Sequence, residues 1–140
     1  LGEVKHLYSR SVGAASGTGP DYALTVLTFD SGAIGHVEAT WMDPSGFRTT
    51  YEVCGSDGMI QFDSRETPSL RTHTEGKTAL ESNQSPLDDP YYQELNAFLG
   101  AVKDGTTPPV TGYDGMMAVS IALAALESAK TGRIVAPARG

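Results

Sequence analysis

The end of the chain constrains the fold most, because two capped helical segments follow a front half that has the pattern of strands. In the first segment, Asp89 precedes Pro90, which stands at the first helical position, and Gly105 follows the last turn. Its apolar residues recur every three or four positions, as in a helix with one buried face. They are Tyr91, Leu95, Phe98 and Val102, with Tyr92 and Leu99 beside them. The pattern predicts an amphipathic helix from Pro90.

The second helical segment is apolar on nearly all sides. Thr111 and Asp114 have the spacing of a capping box, in which each side chain accepts a hydrogen bond from the backbone of the other residue. Residues 116–129 are rich in alanine and serine, which allow close backbone approach, and Gly132 follows the last turn. The sequence predicts a helix buried on most sides, followed by a short closing strand over residues 133–135.

The front half contains paired strand patterns. Residues 21–30 and 33–42 flank Ser31-Gly32, and residues 47–54 and 59–63 flank a second glycine-containing turn. Further strands are predicted at residues 4–12, 70–74 and 78–80. Strands followed by helices indicate an α+β fold, an open and mostly antiparallel β-sheet with the two C-terminal helices packed on one face.

Both faces of the first predicted hairpin carry apolar side chains. Leu24 and Val26 point to one face, whereas Leu27 and Phe29 point to the other. The two helices cover one face, but 140 residues offer no second helical layer for the other. Because soluble monomers seldom expose a large apolar patch, we expect a homo-oligomer in which subunits meet through the open sheet face. The contact would contain either Trp41, Leu27 and Phe29 or their opposite-face neighbours Leu24, Val26 and Ile34.

Composition argues against several classes of partner. The formal net charge is −7 and Lys and Arg do not cluster, which disfavours nucleic acid and anionic membranes. The chain contains no apolar run of the roughly 20 residues that a membrane span needs. Because a single cysteine cannot form an internal disulfide, the reducing cytoplasm is the expected compartment. The cysteine itself, Cys54, is predicted to be a small buried hydrophobe.

No residue pattern in the chain predicts a metal, cofactor or nucleophile site. The three histidines, His6, His36 and His73, lie on different predicted strands, so metal-ligand spacing is lacking. Gly17-x-Gly19 precedes Pro20 and lacks the third glycine and the strand-to-helix setting of a phosphate-binding turn, so a flexible turn is the prediction. The serine elbow of hydrolases is also absent from the sequence. We therefore predict no catalytic residue, no cofactor-binding residue and no metal ligand here.

Five short motifs in a fixed order resemble one protein family and cover essentially the whole chain. They are Asp30-Ser31-Gly32, Gly55-x-x-Gly58, Asp89-Pro90-Tyr91-Tyr92-x-Glu94-Leu95-x-x-Phe98, Val110-Thr111-Gly112-x-Asp114-Gly115 and Ser128-Ala129-x-Thr131-Gly132. This order is similar to the C-terminal domain of the glucose-fructose oxidoreductase, inositol dehydrogenase and MocA (Gfo/Idh/MocA) family.

The resemblance implies a two-domain NAD(P)-dependent oxidoreductase that acts on sugars or polyols. Residues 1–140 would be its C-terminal substrate-binding and oligomerisation domain. The N-terminal domain, which binds NAD or NADP and supplies a catalytic lysine, and an Asp-x-x-x-His element would lie outside this sequence. Because the sequence starts at Leu1, we expect a fragment that is inactive alone and binds no cofactor.

Three residues are candidates for substrate binding. Tyr91 matches the position at which the family places a tyrosine near the substrate, although its spacing from Leu95 is equally typical of core packing. Tyr92 is the neighbouring candidate. Arg48 could hold a hydroxyl or carboxylate group, or lie solvated at a strand end.

Two other functions stay open at this level. The same family includes glycoside hydrolases that use a tightly held NAD transiently, and the parent protein could be one of them. A free-standing oligomeric binding module without chemistry is the third possibility. The sugar or polyol, the choice between NAD and NADP, and the number of subunits do not follow from the sequence.

Overall fold

The computed structural model describes residues 1–13, 19–81 and 89–140. All strands in this part of the chain precede the helices, and no helix lies between residues 21 and 63, as predicted. The elements are β1 (Val4–Gly13), β2 (Pro20–Phe29), β3 (Ile34–Thr40), β4 (Thr50–Gly55), β5 (Gly58–Asp63), β6 (Leu70–Thr74), β7 (Lys77–Glu81), α1 (Pro90–Asp104) and α2 (Gly112–Thr131). The α+β class is thereby confirmed.

The strands form two antiparallel sheets instead of the single sheet that we expected. The first has the order β1-β2-β3 and the second the order β4-β5-β6-β7. Each turn specifies its own hairpin, but the connection between β3 and β4 contains Pro44 and Gly46 and forms no hairpin turn. The local pattern therefore predicted correctly which strands pair in hairpins, but it did not predict that the sheet is interrupted between β3 and β4. The chain divides into two compact units, Leu1–Pro44 with Val110–Gly140, and Ser45–Pro109.

In the first unit, α2 packs against β1, and the two faces of the sheet differ as the alternation predicted. Leu27 faces the core and is 7% exposed, whereas Val26, on the opposite face, is 41% exposed. The core cluster consists of Val4, Leu7, Leu27 and Ala124, with Phe29, Ile121, Ala125 and Val135 packed around it.

Ser128 fixes the end of α2 to the edge strand β1. Its side chain is fully buried, and its Oγ accepts from the Ser9 amide at 2.9 Å and donates to the Arg133 carbonyl at 2.6 Å. Leu7, two residues before Ser9 on the same edge, exchanges two backbone hydrogen bonds with Val135. The predicted closing strand over residues 133–135 is thus reduced to one bridge, which still covers donors that an edge strand would expose.

The predicted helix caps are present. Asp89 accepts from the Tyr92 amide at 3.0 Å, and Gly105 takes the left-handed conformation after α1 with φ 65°. Thr111 and Asp114 form the complete capping box of α2, and Gly132 ends that helix with φ 69°. Glycine suits both end positions because positive φ strains other residues.

Two burial predictions for the second unit were wrong. The apolar stripe of α1 is exposed, including Leu95, Phe98 and Val102, and Ala101 is the buried residue of this helix. Helical spacing indicates an amphipathic helix but does not specify what covers it. Cys54 is also exposed, as is every residue of β4, and its thiol lies 3.8 Å from the Glu52 Oε1.

Candidate functional site

A densely hydrogen-bonded polar cluster of the second unit surrounds Arg65, just after β5. The Arg65 guanidinium donates to the carbonyl oxygens of Ser45, Gly46 and Phe47 at 2.7, 2.6 and 3.1 Å. It also donates to the Ser45 hydroxyl at 2.6 Å. All three carbonyls lie near Nη2, which has only two N–H groups, and Nε also donates to the Phe47 carbonyl at 3.3 Å. The guanidinium therefore holds three consecutive residues through Nε, Nη1 and Nη2 together. We call residues 45–48 the clamped segment.

Asp63 completes this cluster from the end of β5. Its carboxylate accepts from the Arg48 Nε at 3.1 Å and from the Arg48 Nη2, and it also accepts from the Arg65 amide at 3.0 Å. The hydrogen bond from Arg48 is the largest of the effects that lower the pKa of Asp63 to about 2, followed by the Arg65 amide. Asp63 is therefore ionised at neutral pH, and it binds both the Arg48 side chain and the Arg65 backbone.

Of the predicted site residues, Arg48 lies in this cluster. It was expected to bind a substrate hydroxyl or carboxylate or to be solvated, and the structure pairs it with Asp63 while leaving 47% of its side chain exposed. This geometry keeps the guanidinium at the surface in one orientation. Substrate binding by Arg48 stays a prediction.

Tyr91 and Tyr92 occupy the first turn of α1. Tyr91 is 74% exposed, so its alternative role in a packed core does not apply within this chain. The Tyr92 amide donates to the Asp89 cap, which fixes the first turn on which both phenols stand. Their contact with a substrate also stays a prediction.

Arg65 and Asp63 were not predicted as site residues, although the sequence contains a usable signal. The pairing of Thr50 with Asp63 in the β4–β5 hairpin, continued outward by two residues, places Arg48 opposite Arg65. Counting the strand register outward from the turn at residues 55–58 places two arginines and one aspartate close together. Residue type and sequence spacing alone do not bring these residues together, since Arg48 and Asp63 are 15 positions apart in the chain.

The first unit contains a cleft between α2 and the sheet. This cleft of about 370 Å³ is lined mainly by apolar and small side chains, among them Leu27, Val37, Ala118, Ala122 and Ala125. Such a lining offers few groups to a polyol, which needs hydrogen-bond partners. We therefore do not assign the substrate to this cleft.

The described ranges 1–13, 19–81 and 89–140 contain neither a candidate metal site nor a helix that could span a membrane. No group of three or more His, Cys, Asp or Glu side chains in these ranges could hold a metal ion. Neither α1 nor α2 is long and apolar enough to cross a membrane. The Gly17-x-Gly19 element lies partly outside the described residues.

Comparison with known proteins defines the class first: the "Oxidoreductase family, C-terminal alpha/beta domain" model matches residues 2–136. The chain belongs to the Gfo/Idh/MocA oxidoreductase family, and the resemblance inferred from its motifs is confirmed. It is 36% identical over 119 residues to the myo-inositol 2-dehydrogenase of Thermotoga maritima, covering 82% of this chain and 36% of that protein. It is 32% identical over 115 residues to the scyllo-inositol 2-dehydrogenase (NAD(+)) of Bacillus subtilis, covering 80% and 34%.

Solved structures agree with this assignment at the level of the fold. A levoglucosan dehydrogenase in complex with NADH superposes with a TM-score of 0.83 at 20% identity, over 100% of this chain and 46% of that one. An oxidoreductase from Agrobacterium radiobacter in complex with NAD+, L-tartaric acid and magnesium gives 0.80 at 20% identity, over 97% and 44%. The chain thus spans about a third of the length of the two curated relatives and under half of these structures.

Proposed function

We propose that this chain is the substrate-binding and oligomerisation domain of an NAD(P)-dependent sugar or polyol dehydrogenase. The observation that carries the proposal is the family match over residues 2–136, taken together with the inositol dehydrogenases among the relatives. NAD or NADP accepts the hydride in such a reaction, and we infer that its site and the groups that take the hydroxyl proton lie outside this chain. We further infer a cytoplasmic protein, from its single cysteine.

The contribution of this domain would be orientation of the substrate. A polyol presents several similar carbinol groups, so the dehydrogenase must hold one of them in a reactive pose. Hydrogen bonds from Tyr91, Tyr92 and Arg48 would supply that selection. Exposure of Tyr91 and of the Arg48 side chain supports this role, since both can be reached from solvent.

The uncovered face of the first sheet would supply the contact between subunits. Val26 and Ile34 lie on this face and are 41% and 75% exposed, and Tyr8 pairs with Val26 beside them. An apolar group of this kind favours burial against a second copy of the chain. We therefore propose a homo-oligomer through this face.

The test of the proposed function is formation of reduced nicotinamide by the complete gene product. NAD+ and NADP+ are each offered with myo-inositol, scyllo-inositol, D-xylose and levoglucosan, which the names of the relatives suggest. We expect reduction with at least one pair, and none by the 140-residue chain alone. Failure of every pair with the complete protein would contradict the proposal.

The role of Tyr91 is tested by Tyr91→Phe in the complete protein. Loss of one hydrogen bond to the substrate, worth about 1 kcal/mol, should raise the polyol KM about fivefold and leave the nicotinamide KM unchanged. Tyr113→Phe is the matched control, because Tyr113 stands in the first turn of the other helix and is also exposed. Equal effects of the two substitutions would remove Tyr91 from the site.

A further inference from the structure

The clamped segment is held more firmly than an exposed connection requires. Residues 45–48 have no regular secondary structure, and fixing such residues costs conformational entropy. Water satisfies exposed carbonyl groups without any such cost. Here the charged Arg65 side chain binds three carbonyls in sequence, and Asp63 binds both Arg48 and the Arg65 amide.

The backbone geometry of the clamped segment matches this arrangement. Gly46 has φ +87°, a conformation that side chains other than glycine rarely adopt, and it turns its carbonyl onto Arg65. A Cβ at this residue would lie 3.7 Å from the Arg65 Nη2. The segment therefore wraps closely around one guanidinium group.

The clamped segment carries an exposed aromatic residue followed directly by an exposed arginine. Phe47 is 89% exposed although the carbonyl of the same residue is bound by Arg65. Arg48 follows directly, with its guanidinium oriented by Asp63. Sugars and cyclic polyols have an apolar face of C–H groups and a rim of hydroxyl oxygens, and an aromatic ring suits the first while a guanidinium group suits the second.

We propose that Arg65 is a positioning residue, which holds residues 45–48 so that the Phe47 ring contacts the C–H face of the sugar or polyol and Arg48 binds its hydroxyl groups. The inference rests on the proposed function and adds Phe47 and Arg65 to the substrate-binding residues. Arg65 itself contacts backbone carbonyls and acts through Phe47 and Arg48.

The test uses Arg65→Lys and Phe47→Ala in the complete gene product. Lysine keeps the charge but has one nitrogen, so it cannot replace the separate Nε and Nη1 bonds to the Phe47 carbonyl and the Ser45 hydroxyl. Arg71→Lys is the matched control, since Arg71 lies on β6 of the same sheet and forms one exposed ion pair with Glu66. The measurements are the KM values for polyol and nicotinamide, and the polyol dissociation constant by calorimetry, which does not depend on turnover.

We expect Arg65→Lys and Phe47→Ala each to weaken polyol binding about tenfold, with the nicotinamide KM unchanged. The double variant should weaken it by much less than a hundredfold, because Arg65 acts through Phe47. An effect of Arg65→Lys no larger than that of Arg71→Lys would overturn the inference, and so would fully multiplicative effects. A change in oligomer mass for Phe47→Ala with unchanged polyol binding would instead assign Phe47 to a subunit contact.

The proposed function fails separately from this inference. If the wild-type protein binds a polyol and these variants weaken that binding, while no nicotinamide is reduced, then the positioning role stands and the dehydrogenase reaction does not. If the wild-type protein reduces nicotinamide and the variants bind the polyol normally, then the positioning role alone is refuted. If the wild-type protein neither binds a polyol nor reduces nicotinamide with any polyol, both are refuted.

Discussion

Ser128→Ala tests how the last helix is joined to the first sheet. The Ser128 hydroxyl bridges the Ser9 amide and the Arg133 carbonyl, at 2.9 and 2.6 Å. Ser9 is 1% exposed, so water cannot replace the hydroxyl at the amide of this edge strand. An unsatisfied buried N–H costs about 1–3 kcal/mol, whereas the Arg133 carbonyl is only partly buried and regains some hydration.

We therefore expect Ser128→Ala to lower the free energy of unfolding by about 2 kcal/mol. With a urea m value near 2 kcal/mol/M, the unfolding midpoint should fall by about 1 M. Far-UV circular dichroism of the chain against urea concentration, which follows the loss of helix, measures this change. Ser128→Gly is unsuitable because it would add the backbone entropy of a helical glycine.

The control for this prediction is Ser120→Ala on the same helix. Ser120 donates a single hydrogen bond at 2.7 Å to the Ala138 carbonyl, in an exposed setting, so its loss should cost well under 1 kcal/mol. If Ser128→Ala shifted the midpoint no more than Ser120→Ala does, then the buried bridge would not stabilise the junction and the reasoning would be refuted.

Three other predictions follow from the structure. Val26→Glu should dissociate the oligomer and leave the fold intact, whereas Leu27→Glu should unfold the first unit, because a buried unpaired charge costs several kcal/mol. Light scattering measures the oligomer and circular dichroism the fold. A wild-type protein that is a monomer at micromolar concentration would contradict the prediction for Val26→Glu. Because the pKa of Asp63 is lowered to about 2, its contribution to stability is complete above its ordinary value of 3.8 and is lost as pH falls through 2. Asp63→Asn should therefore flatten the acid side of a urea midpoint against pH, and an unchanged slope would argue against the pair with Arg48. Thr111→Ala should cost about 1 kcal/mol through loss of the capping box, measured by urea unfolding with Thr106→Ala as the control, and equal midpoints would speak against that cap.

Local sequence signals predicted local structure well. The positions of Asp89, Pro90, Thr111, Asp114 and the two helix-ending glycines placed α1 and α2 almost to the residue, because a helix end is specified by a few neighbouring groups. The alternation in β2 likewise separated Leu27 from Val26 correctly. Each of these features depends on residues close in sequence.

Features that depend on distant residues were not predictable in this way. The stripe of α1 gave the correct periodicity, but its exposure depends on what covers it, which periodicity does not encode. The Arg65 cluster links residues 15–20 positions apart through one hairpin register. Tyr91 and Arg48 came from family resemblance and residue type, whereas Arg65 required the three-dimensional arrangement.

The most direct test of the proposed dehydrogenase follows the hydride itself. The complete gene product is incubated with NAD+ or NADP+ and a polyol that carries deuterium on its carbinol carbons, and the nicotinamide is then examined by mass spectrometry. The account predicts reduced nicotinamide that has gained one deuterium, with a ketone as the second product. Nicotinamide that stays oxidised with every polyol would contradict it, and so would hydrolysis of a glycoside, offered in a parallel incubation, without net reduction of nicotinamide.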